Sequence, residues 1–361
     1  MQPLNGVRII EFDGLGPVTF AGMMLADMGA EVLRLTRSES AGPAVFDQVG
    51  GAVLHRGRDV VPVDLKNSDD KAAILGLIDG ADAVIEGFRP VVLERLGFGP
   101  DVLQARKPAL VVGRVTGWGQ TGPLAQAVGH DLNYIGLSGV LHAMGEADRP
   151  PAPPLNLVGD YGGGAMLLVV GVLAALIEAR ATGRGRVVDA AMTDGAALLG
   201  GLFQALRGQG LWSDQRGANL LDGGAPFYRC YGCRDGGFVA VAALEPRFYA
   251  ALLQGLDVPA EEAAQYDRDG WPGLHARFAA VFASRDRDDW AAHFAGTEAC
   301  VTPVLSLSEA ADHPHNRARA TFDHGLPTPA PRFDDGPPAP ARHSSALSLD
   351  QAVARWSERA G

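Results

Sequence analysis

Cysteine is scarce in this 361-residue sequence: Cys230, Cys233 and Cys300 are the full set. Three thiols cannot build a disulfide framework. Cys230-Tyr231-Gly232-Cys233 has the C-x-x-C form, but no second Cys or His pair accompanies it at zinc spacing. It runs into the turn Arg234-Asp235-Gly236-Gly237 instead of opening a helix after a strand. Its reading is structural, and no metal site is expected. Lysine is nearly absent too: of 31 basic residues only Lys66, Lys71 and Lys107 are lysines. A net charge of -11 argues against a nucleic-acid partner. The arginines that remain are the better planar ligands for phosphate. Long apolar runs are missing as well. The longest, Ala165 to Ile177, falls short of the roughly 20 residues that cross a bilayer and reads as a buried helix. The chain opens without a basic segment leading into a long apolar run, and it closes on Glu358-Arg359-Ala360-Gly361, which is no peroxisomal address. A cytoplasmic protein with neither membrane nor nucleic acid as partner is the expectation.

What is present is apolar residue in quantity. At 47% hydrophobic the chain can bury a large core, and its length suggests two domains. Val7 to Phe12 reads as a buried strand, Asp13 to Pro17 as a turn, Phe20 to Met28 as a helix and Glu31 to Leu35 as the next strand. This is a βαβ unit, which implies an α/β fold with a parallel sheet. The pattern repeats: strand Asp59 to Leu65, helix Asp69 to Asp79, strand Ala83 to Glu86, short helix Val91 to Leu96, strand Leu110 to Val115. Later come a helix from Ala165 to Arg180, strand Val187 to Met192, helix Ala196 to Arg207 and a Gly/Asn/Asp-rich linker to Pro226. A hairpin (Phe227 to Tyr231, Phe238 to Ala242) starts a different unit, with helices to Ala295 and a strand from Cys300 to Leu305. His324 to His343 is proline-rich and reads as a wrap or linker, and Ser348 caps a last helix through Trp356.

Arg37, Lys66 and Arg89 stand at or near strand ends, with Arg95 one helix further on. Open α/β sheets bind ligands outside the carboxyl ends of their strands, so this shared position points to a phosphate-rich ligand. Gly14 and Gly16 make half a dinucleotide fingerprint. Thr19 occupies the third glycine's place, and Arg37 the place of the ribose-binding acid. That leaves an NADP-linked oxidoreductase as a competing reading.

Chemistry concentrates between Gly129 and Gly164. A histidine in a polar setting, Gly129-His130-Asp131, begins the stretch, and Asp160 in Gly159-Asp160-Tyr161-Gly162-Gly163-Gly164 ends it. A base and an acid separated by a loop are the parts from which a two-base proton-transfer site can be built, and this stretch is the expected active site. Asp160 sits where a helix N-cap is expected, and the glycines after it would admit a ligand to the backbone. Glu245, before Pro246, is a lone acid after an apolar strand.

Taken together, Gly87-Phe88-Arg89-Pro90, Glu94-Arg95-Leu96-Gly97, Thr116-Gly117-Trp118-Gly119-Gln120-Thr121-Gly122-Pro123, Gly129-His130-Asp131-x-Asn133-Tyr134, Asn156-Leu157-Val158-Gly159-Asp160 and Asp189-Ala190-Ala191-Met192 resemble the family III CoA-transferases over nearly the whole chain, Leu4 to Phe333. The likeness is greatest to the branch of that family that epimerises the C2 centre of 2-methylacyl-CoA thioesters. It implies a large Rossmann-like, CoA-binding domain from residues 1–190 plus 325–361, a linker at 191–224, a smaller α+β domain at 225–300 and a returning linker at 301–324. It also implies a homodimer of interlocked chains, with the site shared between subunits. His130 and Asp160 match the two proton-transfer residues, and Glu245 matches the acid that supports the histidine from the partner chain. Arg37, Val63, Asp64, Leu65, Lys66, Gly87, Phe88, Arg89, Arg95, Gly129, Asp131, Leu132, Asn133 and Tyr134 match CoA-binding positions. CoA would be part of the substrate, so no separate cofactor is expected. Transferases of the family use the same Asp to carry the acyl group as an anhydride, but they lack the His/Glu pair and have a mobile glycine loop where this chain has Leu244-Glu245-Pro246. A CoA-transferase is therefore the alternative. The methionine-rich acyl lining frequent in the racemising branch is not matched after Met192, so the natural acyl group stays open.

Overall fold

The computed structural model describes residues 2–37, 50–334 and 344–358. Part of the proline-rich stretch, 335–343, lies outside them. The contacts divide the chain into two units: Met1–Val140, Pro154–Gly200 and His315–Gly361 in the first, Leu141–Pro153 and Gly201–Pro314 in the second.

The first unit is built on a parallel sheet whose strands are rich in Val, Ile, Leu and Ala and are covered on both faces, with Glu11, Arg34, Glu86 and Arg114 buried among them. In chain order it contains β1 (Arg8–Phe12), α1 (Pro17–Asp27), β2 (Glu31–Arg37), α2 (Gly51–Leu54), β3 (Asp59–Val63), α3 (Ser68–Gly80), β4 (Ala83–Glu86), α4 (Val92–Leu96), α5 (Pro100–Arg106), β5 (Val111–Thr116) and α6 (Asp131–Leu137). A ten-residue π-helix, Leu157–Met166, runs without a break into α7 (Leu167–Thr182), followed by β6 (Val187–Ala191) and α8 (Met192–Leu199). Six strands lie in the order β3-β2-β1-β4-β5-β6, every pair parallel. The order reverses between β1 and β4.

Alternate residues serve opposite faces. Ile9, Val32, Ile85 and Val111 pack with Leu25 of α1 and Leu168, Val172 and Leu176 of α7. Ile10, Leu33, Val61, Val84 and Val112 pack with Ile74 and Ile78 of α3 and Leu103 of α5. β3 stops two residues earlier than its apolar pattern suggests. The Asp64 N–H donates to Asp70 and the Lys66 N–H to Asp64, so the chain turns there into α3.

Two corrections concern helices. The apolar run Ala165 to Ile177 underestimates its helix: with the π segment the helical stretch Leu157–Thr182 has 26 residues, enough by length and composition to cross a membrane. Half of its most apolar window is buried within the chain. It lies on β5, where Gly113 makes room; a Cβ there would stand 2.7 Å from Val172. The helix expected from Ala196 to Arg207 is two helices, because the chain breaks at Gly200 between α8 and α9 (Gly201–Gly208).

The second unit holds α9, β7 (Tyr228–Gly232), β8 (Phe238–Ala242), α10 (Pro246–Gly255), α11 (Trp271–Phe282), α12 (Arg287–Phe294), β9 (Val301–Val304) and α13 (Leu307–Ala310). Its antiparallel sheet runs β7-β8-β9, so the expected boundary at 300/301 falls inside a sheet. Its core is aromatic, with Phe227, Tyr231, Trp271, Phe278, Phe282 and Trp290 all buried. The chain then runs through α14 (Pro314–Ala318) and the short pair β10 (Phe322–Asp323) and β11 (Leu326–Pro327). It ends on α15 (Leu349–Glu358), whose Ala352 and Trp356 close the α3 face.

Candidate active site

The carboxyl ends of β1, β2, β4 and β5 open into a cavity of about 540 Å³ at the point where the strand order reverses. Asp13 to Pro17, Arg37, Gly87 to Pro90, and Val115 to Trp118 bring the strand ends to its wall. Gly129, His130, Tyr134, Asp160 and Met192 complete the side where chemistry can occur.

His130 is exposed and occupies the extended N-cap position of α6 (φ -133). Its backbone N–H donates to Asn133 Oδ1 at 3.0 Å, which fixes the entry of the helix. Tyr134, one turn on, is buried, donates its hydroxyl to the Gly129 carbonyl and meets Trp118 edge-on at 4.8 Å. Burial raises the phenol's pKa, helped by the charges of Asp160 and Asp131.

Asp160 is not an N-cap. Asn156 holds that place, and Asp160 is the fourth residue of the π-helix. Asn156 Nδ2 donates to its Oδ2 at 3.1 Å. Burial raises the Asp160 pKa; the Asn156 hydrogen bond opposes this, Asp131 adds to it, and His130 opposes it. Nor do the glycines after Asp160 open the backbone to a ligand. A Cβ on Gly163 would lie 2.7 Å from Ala196 N, and one on Gly164 2.8 Å from Met192. They let the π-helix lie directly against α8. The Tyr161 N–H donates to the Asn156 carbonyl with five-residue spacing, so the donors following Asp160 are engaged in the helix.

Of the residues expected to hold CoA, Arg37, Gly87, Phe88, Arg89, Gly129 and Tyr134 line the cavity. Val63 is the buried last residue of β3, and Asp64, Leu65 and Lys66 form the turn after it. Arg95 on α4 and Leu132 and Asn133 on α6 do not line it. Asp131 is buried and directed elsewhere: its Oδ2 accepts the backbone N–H of Asp160 at 2.7 Å. Glu245 lies in the second unit, exposed, at the N-cap of α10.

Sequence reasoning missed Asp13 and the parts that Gly16 and Trp118 play in the cavity. Asp13 follows β1 and takes both Arg34 donors on Oδ1 (2.8 and 2.5 Å). The adjacency of β1 and β2 carries that pair, so the βαβ reading held its signal. Gly16 (φ +67) stands so close to Asp160 that a Cβ would be 3.1 Å from Oδ2. Trp118 Nε1 is buried without a hydrogen-bond partner among the described residues.

A doubly wound parallel sheet, with a cavity at its switch point lined by a histidine and a carboxyl group, defines an α/β protein of the kind that binds ligands at the carboxyl ends of its strands. The chain belongs to CoA-transferase family III, which matches residues 4–342. It is 44% identical over 332 residues to the alpha-methylacyl-CoA racemase of Mus musculus, covering 91% of this chain and 85% of that protein. Against the alpha-methylacyl-CoA racemase of Homo sapiens it is 40% identical, over 94% of this chain and 88% of that one. A CAIB/BAIF family protein from Brucella suis shares the fold at a TM-score of 0.80 and 24% identity, over 99% of both chains.

Proposed function

We propose that this protein epimerises the C2 centre of 2-methylacyl-CoA thioesters by 1,1-proton transfer through an enolate. The observation that carries this is that His130 and Asp160, far apart in the chain, both line one cavity. The near-full-length similarity to two proteins named alpha-methylacyl-CoA racemase supports it.

The α-proton of a thioester is weakly acidic, so its removal needs a placed base and stabilisation of the enolate oxygen. Neutral His130 takes the C2 proton from one epimer. Protonated Asp160 then gives a proton to the opposite face, and the configuration inverts. For the other epimer the roles reverse. The resting pair therefore holds one proton between two groups. The burial that raises the Asp160 pKa helps keep that proton on the carboxyl. Because the donors after Asp160 are engaged, and the Asn133 and Tyr134 N–H groups donate to the His130 carbonyl, the enolate oxygen falls to the Asp131 and Leu132 N–H groups at the start of α6. Arg37 and Arg89 on the cavity wall supply charge for the CoA phosphates, and binding energy remote from C2 orients the reacting carbon.

The reading includes an interlocked homodimer in which Glu245 of a second copy supports His130. Co-expressed His130→Ala and Glu245→Gln chains, each weak alone, would then regain part of the activity; no recovery counts against a shared site.

In D2O, either epimer of a 2-methylacyl-CoA should exchange its α-hydrogen, and His130→Ala or Asp160→Ala should slow exchange by about 10²–10⁴-fold. No exchange from either epimer rules the function out. Consumption of the thioester only with a carboxylic acid acceptor, lost in Asp160→Ala and kept in His130→Ala, would instead establish the transferase. Branched fatty acyl, sterol side-chain and arylpropionyl thioesters in the same assay would define the acyl group.

A further inference from the structure

We propose that Asp131 is a positioning residue that locks the two proton-transfer groups into one frame, gripping the backbone of Asp160 from the position next to His130. This rests on the racemase reading above. Asp131 opens α6 directly after His130, and its Oδ2 accepts the Asp160 N–H at 2.7 Å across 29 residues of chain. One side chain thus joins the segment that carries the base to the π-helix that carries the acid.

Three observations separate this role from routine packing. The residue is only 6% exposed, and its Oδ1 is buried with no hydrogen-bond partner among the described residues. A half-satisfied buried carboxylate costs stability, so fold stability alone does not account for it. The chain beside Asp160 is shaped to admit it: a Cβ on Gly159 would stand 2.6 Å from Asp131 Oδ2, so glycine leaves the carboxylate its place. The negative charge of Asp131 also acts on the Asp160 carboxyl and favours its protonated form.

The surroundings leave Asp131 as the like charge that matters there. His130 acts on Asp160 in the opposite sense, and Asn156 donates to it. The Tyr134 phenol is committed to the Gly129 carbonyl, and Tyr161 stacks on Phe20 at 4.4 Å. The chain entering α1 meets the carboxyl with Gly16, and α8 meets the π-helix with Met192, Gly195 and Ala196, none of which carries charge.

Asp131→Asn and Asp131→Ala separate charge from hydrogen bond. D131N keeps an oxygen that can accept the Asp160 N–H but drops the charge. The Asp160 carboxyl should then lose its proton more readily, and the limb of the kcat/KM pH profile that it sets should shift to lower pH. D131A should show the same shift and, having lost the grip, a kcat at least about tenfold below that of D131N, with KM for the CoA thioester changed less than about threefold. Thermal melting would confirm that both variants fold. A D131N profile superimposable on wild type, or a D131A kcat equal to that of D131N, overturns the proposal. Absence of exchange in the wild-type protein would instead remove the racemase reading itself.

Discussion

The proposed proton transfer needs an uncrowded Asp160 carboxyl, and Gly16 leaves the space beside it. Its positive φ suits glycine, and a side chain would press on Asp160 Oδ2. Gly16→Val should lower kcat on the order of 10²-fold, the scale set by a roughly 1 Å misplacement of a reacting group. Circular dichroism and the D2O exchange rate check this together; a folded variant with wild-type exchange would show that the contact does not matter. Gly16 was visible in the sequence as half a dinucleotide fingerprint. Its actual service is to a carboxyl group far along the chain, which no local pattern announces.

At the scale of elements, the acid depends on how closely two helices approach. A Cβ on Gly195 of α8 would lie 2.0 Å from the Gly163 carbonyl of the π-helix. Gly195→Ala should destabilise by about 1–3 kcal/mol through overpacking, read from urea unfolding, and should lower kcat as well because Asp160 rides on the displaced helix. Unchanged stability would show that the helices separate freely. β1 and the start of β3 are joined differently. Arg58, fully buried, donates to both oxygens of the buried Glu11 at 2.7 Å. Burial still raises the Glu11 pKa, with Arg58 opposing. Arg58→Ala removes both hydrogen bonds to that acid and leaves it only the longer contact to Arg34 Nε at 3.8 Å, which should cost about 3–5 kcal/mol; a loss below about 1 kcal/mol in urea unfolding would contradict it.

At the scale of the whole molecule, the second unit carries a pH response separate from catalysis. His275 accepts from Arg229 at 2.5 Å on Nδ1 and reaches the Gly224 carbonyl from Nε2 at 2.8 Å. This geometry requires the neutral ring. Burial lowers its pKa, Arg229 lowers it further, and the Gly224 carbonyl and Glu146 oppose. With the folded value below the unfolded one, the unfolded chain binds more protons in this range. The contribution of His275 is therefore complete above the unfolded value, about 6.5, and is lost as pH falls towards the depressed folded value. The melting temperature should fall between about pH 7 and pH 5, and His275→Gln should flatten that dependence. Equal slopes in both proteins would exclude His275 as the cause. The proposed dimer has its own check: sedimentation should give twice the 37.8 kDa chain mass.

The sequence by itself determined the parallel α/β architecture, because short strands rich in Val, Ile and Leu alternating with helices have few other ways to bury both faces of a sheet. It also singled out His130 and Asp160, a histidine and an acid in glycine-rich settings, and the structure brings both to the lining of one cavity. Only the tertiary structure decided what surrounds them. The glycines after Asp160 serve α8 and not a ligand, because backbone contact between helices depends on crossing geometry. Asp160 lies within a π-helix and not at a cap, because five-residue hydrogen bonding leaves no mark in composition. Asp131 turns inward to Asp160 although its motif suggested a CoA contact, because the direction of a side chain at a helix start is set by what packs against it.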